Sequence, residues 1–157
     1  GLRGKKLMIS FQALKEAKAF LCWEMFKDLG VQLVPVRPSV AYYYPPCNPR
    51  HAIVVFYNPA SRDLSEALFL LFHEAGHALQ WKRLSAEDRA DYFHAMIDAD
   101  KGAEKTAFEQ EAWDRGRELL ERFVSAQGLN PELIALYDLY GRACLLSYRD
   151  PSSEEPV

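Results

Sequence analysis

Residues 64–79 are apolar on nearly every side of a helix: Leu64, Ala67, Leu68, Phe69, Leu70, Leu71 and Phe72, then Ala75, Ala78 and Leu79. A helix that is hydrophobic all round is a buried one, so this segment has to run through the middle of the fold. Yet it carries His73, Glu74 and His77 within a single five-residue stretch. A buried polar group left without a partner costs about 1–3 kcal/mol. The rest of the chain must therefore bring partners to three polar side chains at its own centre.

Composition bounds the interior available for this. At 157 residues, 49% apolar and 26% charged, the chain has the size and make-up of one globular domain. That domain is expected over residues 1–149, with residues 150–157 as a polar, disordered tail. Lys+Arg 19 against Asp+Glu 22 leaves a net charge of −3, the wrong balance for a phosphate-binding face, so no nucleic-acid partner is expected. No run reaches membrane-spanning length and the N-terminus lacks a signal-peptide pattern, so the expected location is cytoplasmic, away from membranes. Cys22, Cys47 and Cys144 are odd in number, far apart and without a C-x-x-C, and read as reduced thiols.

Ser10 opens a first helix whose apolar spacing continues to Leu29, with Gly30 as its stop. Three β-like runs follow, at residues 31–36, 40–44 and 52–57. Pro35 and Pro38 place the first at a sheet edge or in an irregular strand. Pro45, Pro46, Asn48 and Pro49 form a rigid link to the third. Beyond Asn58-Pro59 the pattern is helical. One helix runs from a cap at Ser61 or Asp63 to about Leu84, and a second from a Ser85–Asp88 capping box to about Asp98. A third follows Asp100-Lys101-Gly102 and ends at Gln127-Gly128; a fourth opens at Asn130-Pro131 and reaches about Tyr148. The expected class is α+β: an N-terminal helix, a small three-stranded sheet, then a mainly helical half.

His73 and His77 stand at i and i+4, so their imidazoles project from one helix face a turn apart and can reach a single ion. Glu74 is turned about 100° from His73, where it can flank the ion without ligating it, the place of a general base for an attacking water. A zinc ion answers the demand for partners, but a catalytic zinc site takes three protein ligands. A third histidine in the H-E-x-x-H-x-x-G-x-x-H pattern is excluded, because Gln80 and Arg83 occupy the glycine and histidine positions. The carboxylates that follow are Asp88, Asp91, Asp98, Asp100, Glu104, Glu109 and Glu111, with His94 as an outside choice.

Helical geometry ranks those on the third of these helices. With Phe108 at 0° and about 100° per residue, Phe108, Ala112, Trp113, Gly116, Leu119, Leu120 and Phe123 mark the buried face. Glu109 falls inside it, and Glu111 falls on the wet side among Arg115, Glu118 and Arg122. Glu109 is thus aimed into the core, either as a ligand or as half of a buried ion pair with an arginine. Ala112 and Gly116 beside it, and Gly76 in the motif, are small enough to let two helices approach closely.

His73-Glu74-Ala75-Gly76-His77 followed by Glu109-Gln110-Glu111-Ala112 resembles the H-E-x-G-H … E-x-x-A pattern of gluzincin metallopeptidases, and more narrowly the ImmA/IrrE-like minigluzincins. The resemblance runs from the strand at residues 53–57 to Leu120, and Trp113 departs from it, standing where those families carry Asp or Asn. It implies zinc held by His73, His77 and Glu109, with Glu74 catalytic, and hydrolysis of a peptide or protein substrate. The substrate is expected to lie extended along residues 52–57 as an edge strand. The alternative is a zinc-bearing regulatory or interaction module of the same fold that cleaves little and binds a regulatory protein. Tyr42-Tyr43-Tyr44 reads as a half-buried strand, His51 and His94 as non-ligands, and Cys47 only remotely as a thiolate that could cap the zinc.

Overall fold

A computed structural model describes residues 7–46 and 50–150, and over these the class is α+β. Helix α1 (Phe11–Ala19) continues through one π-helical turn (Phe20–Met25) into strand β1 (Leu29–Val34). Strands β2 (Val40–Tyr44) and β3 (His51–Phe56) follow, then helices α2 (Ser65–Ala86), α3 (Ala90–Asp98), α4 (Ala103–Gln127) and α5 (Glu132–Leu145), and a closing 3-10 turn (Leu146–Tyr148). No helix among the described residues is long and apolar enough to cross a membrane. Cys22 and Cys144 are free thiols. Cys47, part of the proline-rich link and the expected tail beyond Asp150 lie outside the described residues.

Local chemistry sets most of the boundaries. The Ser10 hydroxyl accepts from the Ala13 N–H at 3.1 Å and caps α1. That first helix is shorter than its apolar spacing predicts. Phe26 turns to extended backbone, and Leu29 and Gly30 belong to β1. The buried positions Phe26 and Leu29 serve the core equally well from extended backbone, which periodicity alone cannot distinguish. The Ser85–Asp88 capping box does not form. Ser85 remains inside α2, its hydroxyl donating to the Lys82 carbonyl, and Asp88 takes a left-handed conformation at φ 60° before α3 begins. Gly128, at φ 65°, closes α4, and the Asn130 side chain accepts from the Glu132 N–H at 3.0 Å to start α5.

The sheet order is β1-β3-β2, with β1 parallel and β2 antiparallel to β3. The first strand is an edge, and it ends at Val34, just before Pro35. The third is not. β3 is paired on both sides, Ile53 with Val31 and with Tyr43, so it offers no free main-chain edge and the expected peptide position along residues 52–57 is wrong. The edge on the helical side of the site is β2.

Helix α2 packs against α4, β2 and β3, and is central. Two contacts with α4 have no side chain between the backbones. A Cβ at Gly76 would lie 1.9 Å from the Ala112 carbonyl oxygen, and one at Gly116 2.3 Å from the Phe72 carbonyl oxygen. Around this crossing Leu68, Leu71, Phe72, Leu120 and Phe123 are fully buried in one apolar cluster with Leu14, Leu21 and Ile53. Gly76→Ala is expected to destabilise the protein by about 1–3 kcal/mol or more, as overpacking against rigid backbone does. Gly30→Ala, where an added Cβ meets nothing within 4 Å, is the matched control and should stay near neutral. Urea unfolding of both variants checks the contrast.

Candidate metal centre

The crossing of α2 and α4 carries Glu109 to the two motif histidines. Its Oε1 lies 3.1 Å from His73 Nε2 and 3.2 Å from His77 Nε2. All three side chains are buried, and one ligand atom from each falls within 4.8 Å of the others. Among the described residues this is the only group of three or more side chains able to hold a metal ion. Glu74, also buried, lines a cavity of about 360 Å³ beside His77 and Glu109, and its carboxyl makes no hydrogen bond among the described residues. Tyr43, Lys105 and Tyr148 complete that part of the wall.

Burial and mutual contact set the charges. Burial holds the His73 imidazole down at about 4, against the opposing pull of its bond to Glu109. Burial pushes His77 the same way, but its bond to Glu109 and the charges of Glu109 and Glu74 outweigh that and raise it. Burial would raise Glu109, yet the two imidazole hydrogen bonds hold it well below the usual carboxylate range. Protonation therefore falls on His77 in preference to His73, opposite an ionised Glu109. Glu74, with no such donor, is pushed by burial up to about 7.

Two imidazole nitrogens and a carboxylate oxygen are the donor set of a three-ligand zinc site. A divalent ion among them would replace the proton on His77 and leave both rings neutral, as ligation requires. Glu109 Oε1 is within reach of both Nε2 atoms, and Oε2 has no hydrogen-bond partner among the described residues, only the Lys105 ammonium at 3.4 Å, so the carboxylate keeps lone pairs for an ion. The residues fit the ion.

The triad is held from outside by side chains that local sequence patterns do not single out. Gln80 Oε1 accepts from His77 Nδ1 at 2.8 Å, which leaves Nε2 for the ion. The Gln80 amide nitrogen donates to the Phe108 carbonyl at 2.8 Å and to Glu111 at 3.2 Å, and Arg83 pairs with Glu111 at 3.1 Å. Lys105, one turn before Glu109, donates to the Met96 and Ile97 carbonyls at 2.9 and 3.1 Å and stands 3.4 Å from Glu109 Oε2. Tyr148 donates its hydroxyl to Glu109 Oε1 at 3.3 Å. Burial and the neighbouring carboxylates push that phenol upward, so it keeps its proton. The Tyr43 hydroxyl is already committed to His51 Nδ1 at 2.8 Å.

Compared with known proteins, the chain matches no family model, no curated protein and no solved structure.

His73, His77 and Glu109 come together and Glu74 flanks them, as their spacing and helical angles predict. The remaining carboxylates stay out of the triad. Asp98 and Asp100 reach the cavity wall, while Asp88, Asp91 and Glu104 are exposed. His94 is exposed beside the Trp81 ring. Glu111 is not the idle surface residue that its angle suggests, since it anchors Gln80 behind His77. Lys105 was findable as the i−4 neighbour of a buried Glu on one helix face. Gln80 had a similar signal, at i+3 from His77 on a buried helix. Tyr148 had none, because it arrives from the far end of the chain. Glu109→Ala should abolish stoichiometric metal. Glu111→Ala should weaken binding by about 10-fold, the lower end for losing a group that orients a ligand. Elemental analysis and chelator competition on untagged protein separate the two, and equal effects would contradict their different placements.

Proposed function

We propose that the chain is a zinc-dependent peptidase resembling the ImmA/IrrE-like minigluzincins, acting on peptide or protein substrates in the cytoplasm. One observation carries the reading: beside a buried His73–His77–Glu109 donor set, the cavity lined by His77 and Glu109 holds a carboxyl, Glu74, with no hydrogen-bond partner among the described residues. His73, His77 and Glu109 would hold zinc. When bound, the ion would supply Lewis acidity, polarising a carbonyl and easing deprotonation of water.

The remaining steps belong to side chains. Glu74 accepts the proton of the attacking water and returns it to the leaving amine, a transfer suited to a carboxyl whose affinity for protons burial has raised. Tyr148, whose hydroxyl donates to Glu109 Oε1 at 3.3 Å, would turn that proton to the negative charge developing on the carbonyl oxygen once Glu109 holds the ion. Among the described residues strand β2 is paired only with β3, and Ala41, Tyr42 and Tyr43 line the cavity. An extended substrate would therefore add to β2 through main-chain hydrogen bonds, with little demand on sequence.

Glu74→Gln keeps shape but cannot accept a proton. It should retain zinc and thermal stability while hydrolysis of an extended peptide library falls at least ~100-fold, the scale of a lost general base. Loss of zinc from this variant would make Glu74 a ligand and defeat the mechanism. A parent protein that binds zinc, cleaves nothing and binds a partner unaffected by the substitution would be the regulatory module instead.

A further inference from the structure

The two imidazoles of the triad are oriented by different forces. His77 is fixed by the Gln80 hydrogen bond at Nδ1. The corresponding Nδ1 of His73 is buried without a hydrogen-bond partner among the described residues, and so is the indole Nε1 of Trp113, the side chain against it. The two rings lie nearly parallel, with centroids 4.1 Å apart and planes 17° from each other. Apart from the bond of His73 Nε2 to Glu109 within the triad, no hydrogen bond among the described residues orients either ring. The indole is in turn confined by α5. Gly141 sits so close that a Cβ there would lie 2.9 Å from Cδ2 and 3.0 Å from Cε3. The Tyr137 ring packs on the indole at 5.0 Å, and its hydroxyl donates to the Trp113 carbonyl at 2.7 Å.

We infer that Trp113 is a positioning residue for the metal centre: clamped by α5 at Gly141, its indole face sets the plane of the His73 imidazole by stacking, as Gln80 sets His77 by hydrogen bonding. Offset and parallel aromatic contacts fix ring orientation without a polar partner. A ligand ring free to rotate about its own axis presents Nε2 to an ion only part of the time, which costs affinity. The inference rests on the triad binding a metal and is independent of peptide hydrolysis.

Cobalt(II) titration of the apo chain tests it, reading affinity and the ligand-field absorption bands together. Trp113→Phe keeps an aromatic face and should bind within about 3-fold of the parent with similar bands. Trp113→Leu removes the face and should bind at least ~10-fold more weakly, with shifted bands. Gly141→Ala touches no ligand, yet by pushing the indole it should weaken binding comparably. Combining it with Trp113→Phe, whose smaller ring leaves room, should restore affinity. Circular dichroism establishes that each variant folds, and the Phe and Leu variants carry the test should Gly141→Ala not fold. Parent-like affinity and bands in Trp113→Leu would overturn the inference while leaving the triad intact. A parent chain that takes up no cobalt and no zinc would overturn the triad reading and this inference with it.

Discussion

The bare contact between the backbones of α2 and α4 is what the site depends on. Gly76 meets the Ala112 carbonyl and Gly116 meets the Phe72 carbonyl, so the helices touch at two points along one line. His73 and His77 on one helix and Glu109 on the other flank that line, which brings Oε1 within 3.2 Å of both imidazoles. Glycine inside a helix costs about 1 kcal/mol relative to alanine. Burial of Phe72, Leu68, Leu120 and Phe123 around the crossing offsets that cost several times over, at about 1.5–3 kcal/mol for each large apolar side chain. A side chain at either glycine would hold the helices apart, and the carboxylate would no longer reach the nitrogens.

Electrostatics makes the same centre expensive without partners. Glu74, Glu109, His73, His77 and Lys105 are all nearly removed from water. Removing an ion from water carries an effective penalty of several kcal/mol in a folded protein, so such groups persist only when they neutralise one another. Lys105 meets this by donating to the Met96 and Ile97 carbonyls while its charge stands 3.4 Å from Glu109 Oε2. It thereby ties the C-terminal end of α3 to the carboxylate of α4. Glu74 is the exception. With no donor against it, it resists burial as an anion, and that resistance is what raises its affinity for a proton.

Legibility in the sequence followed the range of the interaction. The His73, Glu74 and His77 arrangement is a single turn of helix, and Glu109 separates from Glu111 by its angle on one helix, so both were readable from local geometry. The small residues at Gly76, Ala112 and Gly116 announced a close crossing for the same reason. Strand order was not local. The chain leaves β1, makes β2, and inserts β3 between them, so the run nearest the motif helix became the sheet centre. Its unbroken Ile53-Val54-Val55 was the available hint, since continuous apolar runs suit strands flanked on both sides. Tyr148 reaches Glu109 across 39 residues and Glu111 reaches Gln80 across 31, pairings that no period or spacing encodes.

The triad is asymmetric in how it meets the rest of the molecule. From His77 a polar chain runs through Gln80 and Glu111 to Arg83, whose side chain is 42% exposed. Hydrogen bonds along such a chain are directional and polarise one another, and its outer end is open to solvent and salt. From His73 the path is apolar, through the Trp113 indole to the α5 backbone at Gly141 and the ring of Tyr137. That path transmits position by contact and is insensitive to salt, because close-packed rings carry no net charge to screen. One imidazole is therefore tied to charges at the surface and the other to the packing of α5. Since Gly116, at the crossing itself, also abuts the Tyr137 hydroxyl, the packing that orients His73 is continuous with the packing that brings Glu109 into range.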